Sequence, residues 1–302
     1  MMTRRAFAYL AVAGCGMVSA RPPKKNPLVV DCHAHIYAVD ENKYPTIDQP
    51  KRPPANCGTM DHLRREMNAS GVRYVTAIQT SSYYRWDNRF TTDSARSNQD
   101  FMVAVVTLDP DDPSSPELLR KYVHDYNARG MRSVPAQSGR LDDPGVERLW
   151  DEAEGLGIVI NVLTGIRHRD QIETLARRHP DLRIVIDHCF DLRVGPSLEP
   201  TLEAMRALAG LSNVHAKLTF IPTGSAEQYP CRDLHDACHA VIEAFSPDRC
   251  VWGSNFPCEL WCPEITYAQH LRIFTHELGL DEATKKAVLG GTAVRLWFES
   301  RK

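Results

Sequence analysis

The chain has 302 residues, with 36 basic and 38 acidic side chains, a formal charge of -2 and 43% apolar residues. Charge that nearly cancels, without a long Lys/Arg block, argues against a nucleic-acid partner, and the apolar content argues against disorder beyond the N-terminus. The length fits one α/β barrel of roughly 250 residues or two smaller domains.

The first twenty residues, MMTRRAFAYLAVAGCGMVSA, combine a basic start, a short apolar run and small residues at the end. That is the pattern of an export signal, and the run is far short of the ~20 apolar residues a membrane span needs. Arg4 and Arg5 with Phe7 resemble a twin-arginine signal, and VAGC at 12–15 resembles a lipobox with a lipid anchor on Cys15; cleavage after Ala20 competes with it. The expected location is the periplasm or cell envelope, or the cytoplasm if the segment has no targeting role. Residues 21–27 read as a Pro-rich linker and 28–302 as the folded domain. Nine scattered cysteines contain no CxxC pair, so neither a zinc knuckle nor a dithiol redox motif is supported. Cys258 and Cys262 are near enough for a bridge in an oxidising compartment, although scattered cysteines are mostly small buried hydrophobes.

Eight short apolar runs follow: LVVDC (28–32), VRYVTAIQ (72–79), FMVAVV (101–106), GMRSV (130–134), GIVINVL (157–163), LRIVIDH (182–188), NVHAKL (213–218) and CVWGS (250–254). Helix-period stretches separate them, with starts at Pro116, Asp143 and Pro263. Alternating strands and helices imply a parallel sheet, and a single-domain (β/α)8 TIM barrel is its economical closure. The rival is an open doubly wound sheet, but no GxGxxG follows the first strand. The connection 36–58, with Pro45, Pro50, Pro53 and Pro54, reads as a functional lid.

Period-two alternation sorts the polar residues. It puts Asp31 and His33 on one inward face, continued by His35, sends His188 inward with Ile184 and Ile186, and turns Asp187 away. His215, Lys217 and Thr219 share a face. Asn161, Gln79, Arg132 and Asn255 add polar groups near the ends of four other strands, where barrel enzymes place their chemistry. The His33-x-His35 pair, with His188, can form a facial set for a Zn2+-class ion with an open position for water. Without metal, the pair is simply hydrogen-bonded. The remaining histidines, such as His62 and His270, fall on helix-like stretches and read as packing or surface residues.

At VVDCHAHIY, IDHCF, WGSNFP and VLGGTAVRLW together, the chain resembles the amidohydrolase-related family of barrel hydrolases, particularly the branch of sugar lactonases and 2-pyrone-4,6-dicarboxylate lactonase. The resemblance spans 28–298. It implies His33 and His35 as metal ligands or a carbonyl-polarising pair, His188 as the strand-six histidine, and Arg132 as an anchor for substrate carboxylates. Lys217 and the SSYY segment, which includes Tyr84, correspond to substrate-contacting positions. Asn255 stands where the usual GSDxP has an aspartate that activates water. An amide orients water but does not take its proton. Asp31 or Glu259 is then a substitute base, or histidines act on a ring already activated by strain, or the barrel is silent. The expected function is a hydrolase opening a small anionic or hydroxylated lactone. The alternatives are a metal-dependent decarboxylase of an aromatic or unsaturated acid, and a non-catalytic exported binding barrel.

Overall fold

The computed structural model describes residues 27–299. The export-signal and Cys15 expectations lie outside these residues. Eight strands form in the expected places: β1 (Val30–Ala34), β2 (Tyr74–Ile78), β3 (Met102–Thr107), β4 (Ala128–Ser133), β5 (Val159–Val162), β6 (Arg183–Ile186), β7 (Val214–Lys217) and β8 (Cys250–Val251). They pair in parallel in sequence order. The circle closes where Cys32 N donates to Trp252 O at 3.2 Å and His35 N to Phe256 O at 2.8 Å. A (β/α)8 barrel results, and the open sheet is excluded.

Two apolar layers follow from this closure. Ile160, Val162, Ile184, Ile186 and Ala216 face outward into the helix layer, with Leu175 and Met205. Val30, Cys32, Val103, Val105, Val159, Val185 and Val251 fill the interior. Trp297, from the C-terminal helical segment, joins that inner cluster and closes the end of the barrel where the strands begin. The opposite mouth is left for polar groups.

Helix Ser115–Asp125 carries Pro116 in its first turn, and Pro144–Leu156 is capped by Asp143, which accepts from Gly145 N at 2.9 Å. Pro263 does not start a helix. The helix begins at Tyr267, because Thr266 and Gln269 form a reciprocal capping box. The eight described cysteines, Cys258 and Cys262 among them, are free thiols. Among the described residues no helix is long and apolar enough to cross a membrane.

Two departures from simple alternation reassign acidic residues. The β1 register slips between Asp31 and Ala34, so Cys32 and His33 both turn inward and Asp31 turns out. Its Oδ1 accepts from His33 N (3.0 Å) and Ser254 N (2.9 Å), and its Oδ2 from the Ser254 hydroxyl (2.6 Å) and the Tyr267 hydroxyl (3.0 Å). Asp31 therefore clamps the chain after β8 to β1 and is not a base in the barrel mouth. In β6, Ile184 and Ile186 face the helices, so Val185 and Asp187 face in, the reverse of the expected assignment. His188 is not a strand residue. It opens a left-handed turn, with φ of 55, 48, 61 and 54 at His188, Cys189, Phe190 and Asp191. Such backbone costs about 1–2 kcal/mol per non-glycine residue and clusters at functional sites.

Candidate active site

The floor of the mouth is a buried charge network. Asp187 Oδ1 lies 2.7 Å from Lys217 Nζ, and Oδ2 accepts from Arg132 Nε at 3.2 Å. Asn161 Nδ2 donates to the same carboxylate at 3.2 Å. Burial alone would push Asp187 up, but Lys217 and Arg132 prevail and hold it below the usual carboxylate range. One carboxylate against two cations leaves the floor net positive, which suits an anionic group or a developing oxyanion.

Above it the imidazoles form a relay. His35 Nδ1 faces Ile78 O at 2.9 Å, so this nitrogen carries the proton and donates it. His35 Nε2 is then an acceptor, 3.1 Å from His33 Nε2. His33 Nδ1 faces Lys217 Nζ at 3.4 Å. Arg132 Nη2 approaches His33 Nε2 at 3.1 Å. His188 packs on His33, with ring centroids 4.5 Å apart, and its Nδ1 pairs with the Thr219 hydroxyl at 2.7 Å. Burial, followed by Arg132, lowers His35 to about 3. Burial lowers His188 to about 4 against the pull of Asp187. These rings are neutral at pH 7.

A cavity of about 310 Å³ opens over this floor, lined by Arg132, His35, His188 and Asn255 together with Thr80, Ser81, Ser82, Thr223, Trp261, Asp191 and Arg193. Trp261 forms a wall against His35, with ring centroids 5.5 Å apart. Asn255, at φ 56, donates from Nδ2 to Thr219 O at 2.9 Å, which turns its Oδ1 away as an acceptor. Gly253 lets this segment approach: a Cβ there would lie 2.7 Å from His33 Cβ.

His33 and His35 bring two nitrogens together, as two ligands of one ion would be. Among the described residues, however, the one trio of His, Cys or carboxylate atoms within 4.8 Å of one another is Cys57, His62 and Glu259, not a set built on His33, His35 and His188. In that trio Gly58 N donates to His62 Nδ1 at 3.1 Å. The ring proton therefore sits on Nε2, facing Glu66 at 3.6 Å and Glu259 at 3.7 Å, and the trio is a polar cluster. Glu259 belongs to it and does not line the mouth. In the mouth itself, both ring nitrogens of His33 face cationic side chains, Nε2 the Arg132 Nη2 at 3.1 Å and Nδ1 the Lys217 Nζ at 3.4 Å, which leaves His33 poorly placed to ligate an ion. The donors present do not fit a resident divalent cation.

Arg132, His35, His188 and Asn255 thus meet in one cavity, with His33 and Lys217 directly beneath. Gln79 and Tyr84 do not join them. Gln79 Nε2 donates to Arg85 O and Asp87 O, both at 3.0 Å, and so fixes the loop after β2. The Tyr84 hydroxyl accepts from Ala38 N at 2.7 Å, and its ring packs with Tyr37, Tyr44 and Tyr83. Tyr84 thereby ties the 36–58 connection to the segment after β2. Asp187, Asp191, Arg193 and Trp261 are the residues that sequence reasoning missed. Asp187 was within reach through its neighbour His188; the other three carry no local signal.

The profile of the amidohydrolase family matches residues 30–298. An L-fucono-1,5-lactonase of Burkholderia ambifaria is 29% identical over 237 residues, covering 76% of this chain and 80% of that protein. Among solved structures, a probable 2-pyrone-4,6-dicarboxylic acid hydrolase of Acinetobacter baumannii with bound citric acid superposes with a TM-score of 0.76 at 15% identity, covering 89% of this chain and 98% of the other. An amidohydrolase of Burkholderia multivorans with bound zinc gives 0.72 at 22% identity, covering 89% and 99%. The two structural likenesses are likenesses of fold.

Proposed function

Because this chain belongs to the amidohydrolase family, we propose that it is a hydrolase that opens a small hydroxylated or anionic lactone by attack of water. The observation that carries this reading is the single cavity holding the Arg132 guanidinium, two neutral imidazoles, the Asn255 carboxamide and the hydroxyls of Thr80, Ser81, Ser82 and Thr223. The lactonase named among the relatives supports the substrate class.

The residues divide the work as follows. Arg132, held by Asp187, donates to the lactone carbonyl and stabilises the oxyanion as water adds. The net positive floor adds to this field. Asn255 Oδ1 accepts a hydrogen bond from water and orients it. His35 Nε2 is already engaged by His33, so its ring positions, while His188, whose Nε2 has no protein partner among the described residues, faces the substrate. Trp261 supplies an apolar wall for a ring, and the hydroxyl rim suits hydroxyl substituents. The steps need no resident metal.

Acid release from a panel of sugar 1,5-lactones and 2-pyrone-4,6-dicarboxylate tests the reading. Wild-type protein opens at least one member of the panel and His188→Ala loses that turnover. Binding without turnover would overturn it in favour of a non-catalytic barrel. A stoichiometric divalent ion in the purified protein would overturn the metal-free chemistry. We further propose, from the twin-arginine-like N-terminus, that the protein acts in the periplasm or cell envelope; cell fractionation tests this.

A further inference from the structure

An amide at 255 leaves open which group takes the proton of the attacking water. Asp187 is committed to Lys217 and Arg132, Asp31 clamps β1 from outside the mouth, and Glu259 lies with His62. Among the described residues that line the cavity, one carboxylate is left, Asp191. Its side chain makes no hydrogen bond or ion pair with the described residues; only its backbone oxygen is engaged, by Arg193 Nε at 3.2 Å. It ends the left-handed turn that begins at His188. Its negative charge bears on both Arg132 and His188. A strained turn of non-glycine residues that delivers an unpartnered carboxylate to the rim, beside the imidazole it starts from, has the form of a functional device.

We infer that Asp191 is the general base of the hydrolysis, acting from the turn after β6 in place of the carboxylate that position 255 lacks. This rests on the lactonase reading above. Water oxygen bonds to the lactone carbonyl carbon as its proton passes to Asp191, and the carbonyl π pair moves onto oxygen facing Arg132. When the intermediate collapses, the ring C–O bond breaks and the departing alkoxide takes the proton back from Asp191. The product is a hydroxy acid, with the carboxylate regenerated.

Two variants suit the left-handed backbone, because asparagine and glycine both tolerate positive φ. Asp191→Asn lowers kcat at least about 100-fold, the scale of general-base catalysis, while KM and thermal midpoint stay near wild type. Asp191→Gly is equally slow, and added formate restores turnover in a saturable manner, which a merely structural role does not allow. Wild-type turnover with Asp191→Asn within threefold of it overturns the assignment and leaves the lactonase reading standing. So does a slow Asp191→Gly that formate does not rescue. Absence of wild-type turnover across the lactone panel overturns both.

Discussion

Asn255 donates its side-chain amide to the Thr219 carbonyl oxygen at 2.9 Å. An aspartate in that orientation would set an acceptor against an acceptor, so this chain has a use for the amide that a carboxylate does not fill. Asn255→Asp is therefore expected to lower turnover about tenfold and to destabilise the fold by roughly 1–3 kcal/mol, the cost of a buried acceptor left without its donor. Initial rates and urea unfolding of the variant measure both. Raised turnover would show instead that the amide marks a lost base.

The buried charges beneath make a second prediction. Asp187 is the carboxylate that Lys217 and Arg132 share, and Lys217 has no exposed side-chain surface. Asp187→Asn keeps the shape and removes the charge, leaving two cations uncompensated. It is expected to cost about 3–5 kcal/mol and to abolish turnover, since Arg132 loses its anchor. Denaturant unfolding gives the first quantity. A loss below 1 kcal/mol would mean that the cations are not both charged in the folded protein.

The barrel was legible because eight apolar runs of strand length alternate with helix-period segments, and a parallel sheet needs that pattern. His33, His35 and Arg132 were legible because polar side chains inside apolar strands have few other places to go. Asp31 and Asp187 were misassigned because alternation holds only while a strand is regular. A bulge in β1 turns Cys32 and His33 the same way, and β6 ends before His188, in a left-handed turn built from HCFD without glycine. Nothing in the composition of either segment announces this. Gln79 and Tyr84 have the polarity expected of substrate ligands, yet their partners are backbone groups, the carbonyls of Arg85 and Asp87 for Gln79 and the distant Ala38 N for Tyr84, which the residue types alone do not reveal.

Gly253 offers a test of how closely β8 and β1 must meet. A Cβ at that position would come within 2.7 Å of His33 Cβ, 2.8 Å of His33 N and 3.0 Å of Thr219 Cγ2. Two of these belong to the β1 ladder or its immediate side-chain root, so neither moves cheaply. Gly253→Ala is expected to cost about 1–3 kcal/mol and to reduce kcat by displacing His33 and the Asn255 segment together. Unchanged kinetics would show that the two strands can separate without disturbing the mouth.

The buried histidines fix how the protein responds to acid. Burial first of all lowers His35 to about 3 and His188, His215 and His270 to about 4, from 6.5 in the unfolded chain. Between those values the unfolded state binds more protons than the folded one. Stability is therefore fully present above pH 6.5 and falls as pH drops towards 4, by about 1.4 kcal/mol per pH unit for each such histidine. Urea midpoints measured at half-unit steps from pH 7.5 to 4.5 should decline steadily below 6.5, and a flat or rising profile would contradict the neutral relay. Turnover that depends on neutral His35 and His188 should pass through pH 6.5 without an inflection, because both rings are already unprotonated there in the folded protein.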